Sequence, residues 1–288
     1  VKHLSPLIFQ APEITDLTAE DVFNDLSGNQ GTDHFLGVYS RKGIELVFEK
    51  VGFFQELDRR GLRQGTVKID TSDPYKHLLR IVHPLQDPLL TSCELVVRQG
   101  NFDDFPKSEL KDQKISSSNM LVVEWLLLQH PLKPFTRQRP QIPGQEHPGL
   151  GLSSLVFELL YWTARRSDLD GVILVPNYLH TGYFYGRHLH FFDPKHQGIL
   201  AAIKRCLKSG IQLNQLSWAC AEGQLVHQYT RDIYRWKPAP MVMPVTPSWK
   251  RYFESSTYQE QVKSAKNSYR LQINSGYKKK YNHRWEAI

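Results

Sequence analysis

Met120-Leu-Val-Val-Glu-Trp-Leu-Leu-Leu128, Gln145-Glu-His-Pro-Gly-Leu-Gly151 and Asp170-Gly-Val-Ile-Leu-Val-Pro176 are the segments whose reading decides the fold. The first and third are short aliphatic runs of strand character, and the second is a turn with two glycines. Between turn and second strand, Leu152 to Arg166 reads as an apolar helix. Strand, Gly-x-Gly turn, helix and strand make a βαβ unit. Its turn is an anion site in principle, because glycines let the backbone come close and a helix start offers unpaired N–H groups with partial positive charge.

Upstream, Thr66-Val-Lys-Ile69, Leu78-Leu-Arg-Ile-Val82 and Cys93-Glu-Leu-Val-Val-Arg98 are further β-rich runs, separated by turns rich in Pro, Asp and Ser. They predict an antiparallel meander whose last strand, Met120 to Leu128, feeds the βαβ unit. Before it, Ile44, Val47, Phe48, Val51, Phe54 and Leu57 recur at helical steps and predict one amphipathic helix. Thr18-Ala-Glu-Asp21 has the pattern of an earlier helix start. The expected class is therefore α+β: a mixed, mainly antiparallel sheet with flanking helices. The expected division is 1–64 as an N-terminal helical segment, 65–200 as the core and 201–288 as a C-terminal extension.

Composition sets the outer bounds. The chain has 288 residues, 40% of them apolar and 23% charged, as in ordinary globular proteins. No window reaches the roughly 18 apolar residues of a membrane helix, and no basic-then-apolar leader pattern opens the sequence. Cys93, Cys206 and Cys220 are odd in number and never paired as CxxC, which argues for a reducing compartment and against a structural metal. The expectation is a cytoplasmic protein without a membrane segment. A net charge of +7 fits a polyanionic partner, whether nucleotide cofactor, nucleic acid or acidic surface.

The order of these segments, and the glycines Gly149 and Gly151, resemble the GNAT (Gcn5-related N-acetyltransferase) superfamily, whose members move an acyl group from acyl-CoA to an amine. The family signature Q/R-x-x-G-x-G/A lies between strand and helix. Here Glu146 stands at the Q/R position with Gln145 one residue early, so Glu146 should point away from a phosphate while Arg137 or Arg139 supplies charge. The resemblance implies a GNAT-like acyl-CoA N-acyltransferase fold with acetyl-CoA or another acyl-CoA as cofactor. It implies that Gly149, Leu150, Gly151, Leu152 and Ser153 contact the CoA pyrophosphate, that Asn177 lines the cofactor, and that backbone groups of Leu126, Leu127 and Leu128 meet the pantetheine arm and thioester. It also implies that Tyr185 protonates the leaving thiolate, at the end of a short helix before His190-Phe191. As a plain residue, Tyr185 reads equally as a core tyrosine with a satisfied hydroxyl. Glu124, the one charge in its strand, has two readings: a general base accepting the ammonium proton, or the partner of an arginine such as Arg98. The acceptor amine is not specified by any residue.

His180, His188, His190 and His196, with His130 and His147 in the preceding loop, read as packed or solvated rings rather than metal ligands. His147 or His180 is a candidate second base. Past Gln197 the resemblance thins. Ile199 to Leu207 predicts a helix, Leu213 to Val226 a hairpin, Trp236 to Pro247 an extended segment that is neither helix nor central strand, and Ser248 to Lys266 a helix. The basic tail from Gly276 mixes cations with aromatics, a composition suited to nucleic acid, though a frayed terminus is the simpler reading. Two further functions fit the same residues: an aminoacyl-tRNA-dependent transferase of this fold, and a non-catalytic nucleic-acid or partner-binding module.

Overall fold

The computed structural model describes residues 34–84, 90–102, 115 and 117–277. The Thr18 helix start and nearly all of the basic tail lie outside the described residues. Packing divides the chain into two compact units, one holding the described residues up to Gln99 with Val123–Gln129, the other Gly100–Val122 with the described residues from His130 on.

In the first unit, α1 (Arg41–Lys50) starts at Ser40, whose Oγ accepts the Gly43 N–H at 3.1 Å. The single helix expected from Ile44 to Leu57 is broken. Gly52 takes a left-handed φ of +77° and α2 (Phe53–Arg59) begins there, so Phe48 stacks on Phe53 at 4.9 Å. The aliphatic period ran through the break because both helices turn their apolar sides to one core. β1 (Thr66–Asp70), β2 (His77–His83) and β3 (Leu90–Asn101) form the expected meander, all antiparallel. Leu57, Leu62, Val67, Ile81 and Val97 are fully buried beneath it. His83 is buried too, its ring bonded to the Arg63 carbonyl at 3.0 Å and Ser92 Oγ at 2.8 Å.

β4 (Asn119–Leu128) starts in the second unit and ends in the first. It leads to α3 (Ser153–Arg166), β5 (Gly171–Leu174), α4 (Leu179–Tyr185), β6 (His190–Phe191) and α5 (Pro194–Lys208). α6 (Leu213–Ala221), β7 (Leu225–His227), β8 (Met241–Pro244), α7 (Pro247–Glu254), α8 (Ser256–Ser268) and β9 (Leu271–Ile273) complete the described chain. Among the described residues seven strands make one sheet in the order β1-β2-β3-β4-β5-β8-β6, and β7 pairs β9 separately. The class is α+β with a mainly antiparallel sheet and flanking helices, an arrangement compatible with the fold that the resemblance implied.

Three expectations for the C-terminal part are corrected. Leu213–Ala221 is a helix, not a hairpin: Leu213, Leu216, Ser217 and Cys220 fall at helical steps, and Gln215 Oε1 accepts the Gln212 N–H at 3.2 Å. Met241–Pro244 is a central strand, lying between β5 and β6. Its prolines sit at or outside the ends, so Met241, Val242 and Met243 keep the N–H groups a ladder needs. The Ser248–Lys266 helix is two helices, divided at Ser255, whose Oγ caps α8.

Two aromatic-rich clusters fill this unit. Phe102, Phe192, Trp249, Tyr252, Phe253 and Tyr258 form one, with polar tips satisfied: Trp249 Nε1 donates to Ser118 Oγ at 3.0 Å and Tyr258 to the Phe191 carbonyl at 2.6 Å. The other packs α5, α6, β7 and β9 around Ile203, Leu216 and Leu225. α5 crosses α8 at Gly198, where an added Cβ would lie 2.5 Å from Ala265 Cβ, 2.6 Å from the Val262 carbonyl and 2.8 Å from the Lys266 nitrogen. Two of those neighbours are backbone and cannot rotate away. Gly198→Ala should therefore lower stability by about 1–3 kcal/mol in urea unfolding, against the gain of about 1 kcal/mol that helix propensity alone would give. An unchanged or raised midpoint would rule out the close crossing.

Candidate functional site

The loop from His130 to Leu152 is pinned before it reaches α3. His130 donates its backbone N–H to the Pro148 carbonyl at 2.7 Å, and Trp218 Nε1 donates to Gln141 O at 2.9 Å. Gly144 lies against the Tyr178 ring, 2.5 Å from where a Cβ would stand. Leu150 is wholly buried and anchors the turn, while Gly151 beside it is exposed at φ +73° with open space on its Cβ side. Leu152 precedes the helix and offers no side-chain acceptor, so the first-turn N–H groups of α3 have no side-chain cap. Arg139 donates from Nη1 to the Gly149 carbonyl at 3.3 Å, which brings a cation to the turn. Glu146 is exposed. These are the attributes of an anion-binding turn.

α4 brings further groups to α3. Tyr185 ends α4, and its ring meets Phe157 edge-on at 5.1 Å. Burial pushes the Tyr185 phenol up to about 12, so it stays protonated and able to donate at neutral pH. Among the described residues its hydroxyl has no hydrogen-bond partner. His188 stacks on Phe157 at 5.5 Å and holds Ser154 Oγ through Nε2 at 3.1 Å. Burial first, and then the neighbouring Arg187 charge, lowers the His188 imidazole, which favours its neutral form. Tyr185, His188, Ser154 and Phe157 are thus gathered on the first turns of α3. Asn177 is exposed between β5 and α4 and is not drawn into this group by any described side-chain bond.

Ser154 takes a position that pattern reading did not assign, and of the two expected cations it is Arg139 that reaches the turn. Ser154 was legible only as part of a first helical turn, and Arg139 only as one of two nearby cations. His188 and His190 pack on different rings, His188 on Phe157 and His190 tilted against Phe253 at 5.0 Å. His196 pairs with Asp193 at 2.9 Å. Among the described residues no group of three metal-binding side chains converges.

In the first unit, Glu124 is ion-paired. Its carboxylate meets Arg98 Nε at 2.8 Å and Lys76 Nζ at 3.4 Å, with about a third of the side chain exposed (34%). The charge is compensated by two cations rather than isolated among aliphatic groups. Beyond it Leu126, Leu127 and Leu128 are half-buried, and Gln129 continues toward β3 by donating its backbone N–H to Ser92 O at 3.0 Å.

No protein-family model matches the chain, and no curated protein sequence matches it. Among solved structures, the crystal structure of AtaTR bound with AcCoA is similar at a TM-score of 0.27 and 9% identity, over 56% of this chain and 81% of that one. So small a likeness identifies neither fold nor function. Among the described residues no helix is long and apolar enough to cross a membrane.

His180 is buried in α4, stacked on Tyr178 at 5.3 Å, with its Nδ1 unpartnered among the described residues. Burial lowers its pKa from 6.5 to about 4, so the folded protein keeps the ring neutral while the unfolded chain takes up a proton. Stability should therefore be full above pH 6.5 and fall toward pH 4, by about 3 kcal/mol at most from this residue. His180→Phe should flatten that part of the pH–stability curve in denaturant titrations. A variant curve parallel to wild type would overturn the assignment.

Proposed function

We propose that the protein is an acyl-CoA-dependent N-acyltransferase of GNAT type, moving an acetyl or longer acyl group to an amine. The observation that carries this reading is the uncapped start of α3 directly after Gly149-Leu150-Gly151, within a strand–helix–strand crossover. In this reading the N–H groups from Gly151 to Ser153 receive the pyrophosphate, with Arg139 adding positive charge where Glu146 cannot. The fit is good on this side, since no side chain competes for the first-turn donors and the left-handed Gly151 leaves open space for close approach. Asn177 keeps its proposed place beside the cofactor.

The amine nitrogen attacks the thioester carbonyl carbon, a C–N bond forms and the C–S bond breaks. Tyr185, a neutral phenol with no protein acceptor among the described residues, gives its proton to the departing sulfur and regains one from the medium. Ser154, fixed by His188, adds a hydroxyl to the same helix start. For the first unit the proposal is narrower: Glu124 takes the ammonium proton directly or through water, and a backbone N–H from Leu126 to Leu128 steadies the carbonyl oxygen. In this reading the incoming ammonium group competes with Arg98 and Lys76 for the carboxylate.

Calorimetric titration with acetyl-CoA, CoA and a long-chain acyl-CoA tests the reading. Binding in the micromolar range is expected, worth about 8 kcal/mol, and Gly151→Asp should abolish it while the melting temperature stays close to wild type. Aspartate tolerates the left-handed backbone better than most residues, so loss of ligand would not reflect loss of fold. Absence of binding to all three ligands overturns the proposal and favours the transfer-RNA or binding-module readings. Once an acceptor is in hand, Tyr185→Phe should reduce kcat roughly 100-fold or more with cofactor affinity unchanged. Glu124→Gln turnover equal to wild type would remove that residue as base.

A further inference from the structure

The corner between α4 and α5 carries three cations that the proposed acyl transfer does not use. Arg187 follows the end of α4, and Lys204 and Lys208 stand one helical turn apart on the same face of α5. With Tyr183 and Leu207 they line an open-sided cavity of about 330 Å³, at the small end of ligand pockets. Like charges at this spacing repel, and burial of the Lys204 amine, together with the Arg187 charge, lowers its affinity for a proton. Among the described residues none of the three pairs with a carboxylate.

Arg187 and Lys204 are oriented rather than loose. The Arg187 guanidinium lies over Tyr183 at 5.9 Å and Phe184 at 6.0 Å, which holds its planar fork. Lys204 Nζ donates to the Gly186 carbonyl at 3.1 Å at the end of α4, which uses one of its three N–H bonds and leaves two. Lys208 ends α5 and is exposed. A fork, a half-buried ammonium and an exposed ammonium around one hollow match an anion of more than one charge and several acceptor oxygens. Tyr183 and Leu207 give the same hollow an aromatic and an aliphatic wall.

We propose that the cavity lined by Tyr183, Arg187, Lys204, Leu207 and Lys208 binds a phosphomonoester dianion carried on a small organic body. The phosphate takes the guanidinium fork and the two ammonium groups, and the organic part rests on Tyr183 and Leu207. The site is independent of the acyl-CoA reading, because it uses none of the residues of the Gly149–Ser153 turn.

Calorimetry and 31P NMR with inorganic phosphate and phenyl phosphate, at ionic strength matched with sodium chloride, test it. Both should bind saturably, phenyl phosphate more tightly, and Arg187→Gln and Lys208→Gln should each weaken binding about tenfold. Both residues are exposed, so the variants should melt as wild type does. In Gly151→Asp the phosphate titration should be unchanged, which separates failure here from failure of acyl-CoA binding. Lack of saturation, or equal binding by wild type and variants, overturns the proposal. So would tight binding of a single-stranded RNA lost in the same variants without any monoester binding.

Discussion

Asp170 is the joint on which the second unit depends. Its backbone N–H donates to Asn119 O at 2.8 Å and its carboxylate accepts the Asn119 N–H at 2.9 Å, so the starts of β4 and β5 lie side by side. Its carbonyl accepts from the N–H groups of Val245 at 3.0 Å and Thr246 at 3.1 Å, where the chain leaves β8. One residue thereby sets the level of three strands. The helix between β4 and β5 must then return to a fixed point, and the Gly149–Gly151 turn stands at its entrance. Gly171, next in sequence, has the Met243 carbonyl 2.8 Å from where a Cβ would be, so no larger residue fits beside the joint.

The chemistry proposed for the head of α3 rests on what the turn omits. A Ser, Thr, Asp or Asn before the helix would satisfy the first N–H groups internally. Leu152 instead buries its side chain to hold the turn and leaves those donors available. Stability is supplied elsewhere, by Leu150 and by Arg139 on the Gly149 carbonyl. The neighbouring aromatic contacts of Phe157 with Tyr185 and His188 keep a phenol and a neutral imidazole close to the same helix without spending the backbone donors.

The meander and the strand–helix–strand unit were legible because their signals are local: period-two or aliphatic runs bounded by turn residues. Where the reading failed, a tertiary arrangement overrode a local sign. The prolines around Met241–Val242–Met243 suggested an outlying segment, yet the ladder needs donors only at the residues between them. The helical steps of Leu213, Leu216 and Cys220 were present but short, and a flanking Gly and Glu resembled a hairpin turn. The site divided in the same way. The Gly-x-Gly turn and the end position of Tyr185 were visible in sequence, whereas the Ser154–His188 bond joins residues 34 positions apart. The two readings of Glu124 also turned on a distant residue, and Arg98 is in fact paired with it across strands 26 positions away.

Gly198 has a consequence for how the α4–α5 corner can move. A helix separated from its neighbour by ordinary side chains can slide or roll as those chains change rotamer. At Gly198 the two backbones nearly touch, and there is no soft layer to absorb such a shift. α5 is thereby indexed to α8 like a key in a slot. Lys204 and Lys208 lie on the same rod beyond that point, so their spacing is inherited from a contact that carries no charge at all. Any ligand at that corner meets lysine stems already at rest, and pays for ordering their ends alone.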